Sequence, residues 1–240
     1  MFSLQRANVA GLTLSNVDLA GCRFAEAHNL DKLRLEADTV FGLSPAVAAW
    51  EQRQVIAEES AWRTRPDARP GRWKRPQWFN NEDEPKPLSS GTVAGLYRAL
   101  RKGREDAKDE PGAADFYYGE MEMRRHDRPT GGTNRWRGRA SRLVLTAYWL
   151  FSGYGLRAWR SLTALAAVMA VSAGVFRLWG FTPSTSYWKS LLFAFRSTVS
   201  LTDAQVNLTA WGGLFQAVLR LTGPVLLALT LLALRGRVKR

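Results

Sequence analysis

The chain has 240 residues, 46% of them hydrophobic and 23% charged, with a formal net charge of +13; that hydrophobic share excludes wholesale disorder. One cysteine, Cys22, excludes an intramolecular disulfide, a thiolate metal cage and a CxxC pair, and the two histidines, His28 and His126, lie too far apart in sequence to suggest a zinc site or a His-based triad. The charge is lopsided: residues 1–44 carry 4 basic and 5 acidic groups, residues 45–142 carry 20 and 15, and residues 143–240 carry 10 and 1, so the last third reads as membrane.

Met1 to Ala10 lacks the basic start and apolar core of a signal peptide, so the amino-terminal part is expected in a reducing cytoplasm. Read in fives from Phe2, the chain runs FSLQR, ANVAG, LTLSN, VDLAG, CRFAE, AHNLD. The third place of each five holds Leu4, Val9, Leu14, Leu19 and Phe24, and the first holds Phe2, Ala7, Leu12, Val17, Cys22 and Ala27. This resembles the pentapeptide repeat, most clearly in Ala7-Asn8-Val9 and Val17-Asp18-Leu19. The resemblance implies a right-handed, square β-solenoid over residues 1–44, with Leu4, Val9, Leu14, Leu19 and Phe24 as its core and Cys22 as a small core residue. The register fails at Asn29, leaving about one and a half coils of a fold that is stabilised by stacking. Some members of that family mimic duplex DNA with acidic surfaces; a net charge of −1 is too weak for that role.

Ser44-Pro45 followed by AVAAWEQRQVIAEESAW predicts a capped helix. Residues 63–90 hold five prolines with Trp73, Trp78 and Phe79, a linker that resists helix. Its basic and aromatic run from Arg63 to Arg75 suits anionic lipid better than nucleic acid, given the membrane segments that follow. A helix is expected from Thr92 to Ala107, a turn at Asp109–Gly112, and a second helix from Ala113 to Arg125. This hairpin resembles the tetratricopeptide type, although one hairpin forms no superhelix alone. Glu105, Asp106, Asp115, Glu120 and Glu122 read as a solvated face paired with Arg98, Arg101, Arg104, Arg124 and Arg125. With no phosphate loop, nucleophile elbow or HExxH run, no catalytic residue, cofactor or metal is expected.

Residues 143–160, apolar and aromatic before turning basic, suit an interfacial helix on the inner leaflet. Ser161 to Phe176 is 16 residues without a charge, and the segment 161–181 is long enough to span. A second span is expected over 212–234, interrupted by Arg220, with Gly223-Pro224 as an inner-helix hinge. Seven arginines and no acid lie between Arg128 and Arg160, and four basic residues follow Leu234 in the tail 235–240. The loop 182–210 is nearly neutral, so both termini belong in the cytoplasm and the loop outside.

Within that loop Tyr187 to Ser197 is helical in pattern but too short to cross, followed by Thr198-Val199-Ser200-Leu201-Thr202-Asp203. This resembles the two-helix pore domain of potassium channels, whose filter reads Thr-Val-Gly-Tyr-Gly-Asp. Thr198, Val199 and Asp203 match; Ser200 and Thr202 replace the two glycines that tolerate φ > 0, and Leu201 replaces the aromatic. Two readings stand: a re-entrant pore-type helix with a degenerate filter, or a plain external loop. The full order of segments is similar to bacterial pentapeptide-repeat membrane proteins common in actinobacteria, which implies membrane location and cytoplasmic repeats. The expected fold class is thus mixed, mainly α, with a solenoid fragment, a cytoplasmic hairpin (45–142) and a two-span membrane domain (143–240). The expected function is a non-enzymatic, multi-pass scaffold or regulator of the plasma membrane. Its expected partners are the bilayer, anionic inner-leaflet lipids and an unidentified protein, with no nucleic acid. The alternative is a homo-oligomeric ion channel.

Overall fold

Left-handed residues fall on a five-residue spacing at the start of the chain, with position 21 skipped: Arg6, Gly11, Asn16 and Glu26 have φ of 59°, 75°, 51° and 59°. The computed structural model describes residues 3–36, 38–45, 51–66, 72–74, 88–127, 135–156, 158–180, 186–199 and 209–238. Each of these corners is local chemistry. The amides of Ala7, Leu12 and Ala27 donate to the carbonyls three residues back, closing turns of the kind that need φ > 0 at the third residue, and Cys22 donates to Leu19 in a turn without it. Asn8 and Asp18 side chains accept from the amides of Ala10 and Ala20, so short polar residues hold the chain at the bends.

Folded this way, the segment pairs with itself in parallel. Ser3 bridges Arg23 and Asn8 bridges His28, while β1 (Thr13–Leu14) pairs with β2 (Arg34–Leu35), and Asp18 bridges Val40. The spacing grows from 20 to 21 to 22 residues along this ladder. The first extra residue is taken up in a 3₁₀ turn, Leu30–Lys32, after left-handed Asn29. The failure of register at Asn29 is therefore an insertion at a corner, and the ladder continues through Val40.

β3 (Gly42–Leu43) pairs antiparallel with β4 (Gln54–Val55). The helix expected from Pro45 therefore does not form across 51–56; residues 46–50 lie outside the described residues. Val55 and Ile56 are β-branched, favour extended backbone and are buried. The hydroxyl of Ser44, expected as a helix cap, accepts from the amide of Arg53 across the hairpin. Helix begins only at α1 (Ala57–Arg63). α2 (Ser90–Asp106) is capped by Ser89, whose hydroxyl accepts from the amide of Thr92, and α3 (Glu110–His126) by Asp109, which accepts from Gly112. The expected turn at Asp109–Gly112 is the first turn of α3, because an aspartate cap followed by proline starts a helix.

The ladder and the hairpin, read apart above, share one core in the unit Met1–Leu145. Val9, Leu19, Cys22 and Phe24 pack with Val93, Tyr97, Leu100 and Phe116, while Leu4 and Leu14 cover its edge half-buried. Gly119 is what lets α3 close on α2: a Cβ there would lie 2.6 Å from Cζ of Tyr97.

The second unit, Thr146–Arg240, is helical throughout its described residues. α4 (Arg135–Ser152) leads into it and ends at a Gly153-Tyr154-Gly155 turn whose three residues all have positive φ. The interfacial helix expected over 143–160 is therefore two elements, since that turn breaks it; α5 starts at Ala158 and runs to Val175, continuing as a π-helix over Phe176–Gly180. α6 (Tyr187–Val199) and α7 (Ala210–Val238) follow, and α7 passes through Pro224 as a single helix. Among the described residues, one helix, Trp159–Leu178, is long and apolar enough to cross a membrane.

Candidate functional site

Two groups of residues stand out, one in each unit. In the first, charge is buried. Both oxygens of Glu59 accept from one guanidinium nitrogen of Arg53, at 2.6 and 2.7 Å, and Arg63 reaches the same carboxylate at 2.8 Å. The Tyr97 hydroxyl donates to Glu59 and accepts from the amide of Ile56 at 3.1 Å. The network extends through Arg63 to Glu122, which also receives Arg125 at 2.8 Å. Burial pushes the Glu59 carboxyl up, but Arg53 and Arg63 outweigh it and hold it down at about 2. Burial opposes the Arg53 charge, and Glu59 overturns that, raising it; burial and Glu59 together drive the Tyr97 phenol upward.

Arg104 is fully buried and joins three elements. It donates to the carbonyls of Glu36 and Thr39 at 2.9 and 2.8 Å, to Gln54 at 3.2 Å and to Asp109 at 2.9 Å, with Phe41 and Phe116 on its flanks. Glu120, 2% exposed, collects Arg98, Arg101 and Arg124. The solvated face expected of the five carboxylates is thus corrected for two of them. Glu120 and Glu122 point inward, because the arginines opposite neutralise them as they lose water. Asp115 accepts from the amide of Gln54, while Glu105 and Asp106 are exposed.

Glu58, beside Glu59, does a different job. One oxygen accepts from the consecutive amides of Phe24 and Ala25, standing where a further strand of the ladder would place its carbonyls. Its other oxygen is buried and finds no hydrogen-bond partner. Burial pushes this carboxyl up to about 7, against the pull of the two amides and Arg23. Among the described residues no three metal-ligating side chains come together. The network binds its own members: its carboxylates are occupied by arginines and amides.

In the second unit the polarity is reversed. Ser172, Ser190, Thr198 and Gln216 are 0–8% exposed, whereas Val171, Leu178, Trp188 and Leu221 are 64–75% exposed. Phe176 sits at the centre, edge-on to Phe193 at 5.0 Å and to Phe215 at 6.0 Å. Of the filter-like residues, Thr198 and Val199 end α6, and Ser200, Leu201, Thr202 and Asp203 lie outside the described residues. Thr198 is buried and donates to the carbonyl of Ala194 at 2.8 Å. Gly223, expected as a hinge, is a contact: a Cβ there would meet Thr198 Cγ2 at 2.8 Å and the backbone of Thr198 at 3.0 Å. The glycine lets α7 touch α6, as small residues do between helices in lipid.

The sequence reading missed Arg53, Glu58 and Glu59 and placed Arg104, which is buried, on a solvated face. Its best signal was Glu59–Arg63 at helical i,i+4 spacing, which names one pair and not the partners that long-range folding delivers. Comparison with known proteins gives no matching family model, no matching curated protein and no matching solved structure.

Proposed function

We propose that the chain is a non-enzymatic, multi-pass scaffold or regulator of the plasma membrane, with both termini in the cytoplasm. The observation that carries this is the apolar exterior of the second unit, where Val171, Leu178, Trp188 and Leu221 face out while Ser172, Ser190, Thr198 and Gln216 lie inside with Phe176, Phe193 and Leu219. Such a surface is stable only where its solvent is apolar. Two spans are proposed, α5 with its π-helical extension and α7. The 29 residues of α7 reach about 43 Å at 1.5 Å each, beyond the thickness of hydrocarbon. Arginine-rich flanks favour the inner side for both ends.

The cytoplasmic module is read as two coils of pentapeptide solenoid docked on a helical hairpin. Its support is the left-handed corners on a five-residue spacing at positions 6, 11, 16 and 26 and the parallel pairing at 20–22 residues. On this reading Glu58 closes the stack, supplying a carboxylate in place of the next coil. The resemblance to actinobacterial pentapeptide-repeat membrane proteins points the same way. The buried ion network holds the module in one shape for an unidentified protein partner.

Topology is testable by thiol labelling of intact cells in a Cys22→Ala background. A cysteine at Ser186 should react with an impermeant reagent from outside, and one at Ala107 only after permeabilisation. External labelling of Ala107 would overturn the proposal.

A pore is the second reading, favoured by one observation: the short α6 packs against both α5 and α7, with Thr198 seated on Gly223. Two spans cannot enclose a channel, so conduction requires a homo-oligomer. A tetramer in detergent with cation currents altered by Asp203→Asn would establish it. A monomer without current would remove it.

A further inference from the structure

Counted from Arg135, where α4 begins, Arg139 and Arg142 stand at i+4 and i+7, so they occupy one stripe of that helix. The same stripe, carried on through Thr146, reaches Trp149 at i+14. There the guanidinium of Arg160 lies 5.0 Å from the Trp149 ring and 5.7 Å from Trp159, a cation held between two indoles. Beside the stripe runs an apolar arc in which Leu143, Val144 and Leu150 are 71%, 67% and 59% exposed. Ser152 is buried and donates to the carbonyl of Tyr148, and Tyr154 packs edge-on against Tyr148 at 5.8 Å. No carboxylate occurs between Asp127 and Asp203, so nothing in this stretch of sequence neutralises the stripe.

We infer that α4 is a headgroup-binding helix: its arginine stripe and Arg160 take the phosphates of anionic phospholipids in the inner leaflet while Leu143, Val144 and Leu150 enter the acyl boundary. The inference rests on the membrane reading above and names its lipid partner. Charge complementarity selects anionic headgroups, since each arginine near such a surface gains from the negative potential. The apolar arc selects a lipid surface over a soluble polyanion. A nucleic acid would satisfy the arginines and leave three large side chains in water. The tryptophans with Arg160 suit headgroup depth, where one end of each ring is apolar and the other wet.

The test uses the full chain with Cys22→Ala and a single cysteine at Val144 carrying an environment-sensitive fluorophore, reconstituted in nanodiscs. In discs of phosphatidylcholine with a rising share of phosphatidylglycerol, the label should move into the bilayer and become quenched by brominated acyl chains. In pure phosphatidylcholine it should stay in water. R135Q/R139Q/R142Q should raise the phosphatidylglycerol fraction for half-maximal burial several-fold, and R135K/R139K/R142K should restore most of the response. Helical circular dichroism on each variant separates a lost contact from lost folding. Equal burial in both lipids, an unchanged response in the glutamine variant, or release of the label from anionic discs by duplex DNA would each overturn the inference. The impermeant-thiol test at Ser186 is read separately in proteoliposomes, so failure of the lipid contact is distinguishable from failure of the membrane reading.

Discussion

Around their apolar cores the two units bury different polar groups. In the first, arginines and carboxylates are enclosed with aromatic rings around them, and every expected surface charge that went inside found a countercharge. In the second, serines, Thr198 and Gln216 are enclosed while leucines, valines and Trp188 face out. The difference teaches what each surface must dissolve in. A unit that can afford buried ion pairs still keeps polar residues at its exterior, where water solvates them. On the membrane reading, a unit with an apolar exterior has lipid as its solvent, and close helix contact, as at Gly223 and Thr198, adds to the burial of Phe176, Phe193 and Leu219.

Breaking an ion pair should hurt the first unit most. Glu59→Ala leaves Arg53 buried without its carboxylate and should destabilise that unit by about 3–5 kcal/mol. Denaturant unfolding in detergent, read by hydrogen exchange at Ala57–Arg63, would measure it. Arg53→Met combined with Glu59→Met removes both charges and should recover much of the loss. If the double change costs as much as the single one, the network matters for shape and not for charge.

Next in size is a pH effect. Glu58 in the folded chain sits near 7 against an ordinary 4.5, so folding favours its protonated form. Its contribution is complete below about pH 4.5 and is lost as pH rises through 7, of order 1–3 kcal/mol in all. Glu59 has the opposite sign: its contribution is present above pH 4.5 and is lost only as pH falls toward 2. Burial lowers His126, which gives a slope opposing that of Glu58 near neutrality. The difference between wild type and Glu58→Gln between pH 4.5 and 7 therefore isolates Glu58. Parallel stability curves for the two would contradict the assignment.

In the second unit a side chain at the helix contact should matter more than a lost charge. Gly223→Val places a branched side chain into the backbone of Thr198 and should destabilise α6 against α7 by roughly 1–3 kcal/mol. Gly213, with nothing within 4 Å, is the control. Gly213→Ala should be neutral or stabilise by up to about 1 kcal/mol through helix propensity. Both are read from unfolding of the reconstituted chain by denaturing detergent.

Period-five spacing in the sequence named Val9, Leu19 and Phe24 as interior, and they are buried. The helices expected over Thr92–Ala107 and Ala113–Arg125 form as α2 and α3, but each starts two or three residues earlier, behind the caps Ser89 and Asp109 that the sequence reading did not use. β4 was illegible: Gln54–Val55 lies in a stretch with helical periodicity, and its extended form is decided by Gly42–Leu43 across the hairpin. Arg104 was equally hidden, since its carbonyl partners at Glu36 and Thr39 are brought near only by the fold. Glycine contacts such as Gly119 on Tyr97 and Gly223 on Thr198 leave no periodic trace. Of the filter-like segment, Thr198-Val199 end α6, and Ser200 to Asp203 lie outside the described residues.

The most direct test of the contrast asks which solvent each surface meets. Single nitroxide labels at Val171, Leu221 and Ala107, in the Cys22→Ala chain reconstituted in a bilayer, can be compared for relaxation by oxygen, which enters lipid, and by a water-soluble nickel chelate. The account predicts that Val171 and Leu221 respond to oxygen and Ala107 to nickel. Nickel access at Val171 and Leu221, equal to that at Ala107, would contradict it.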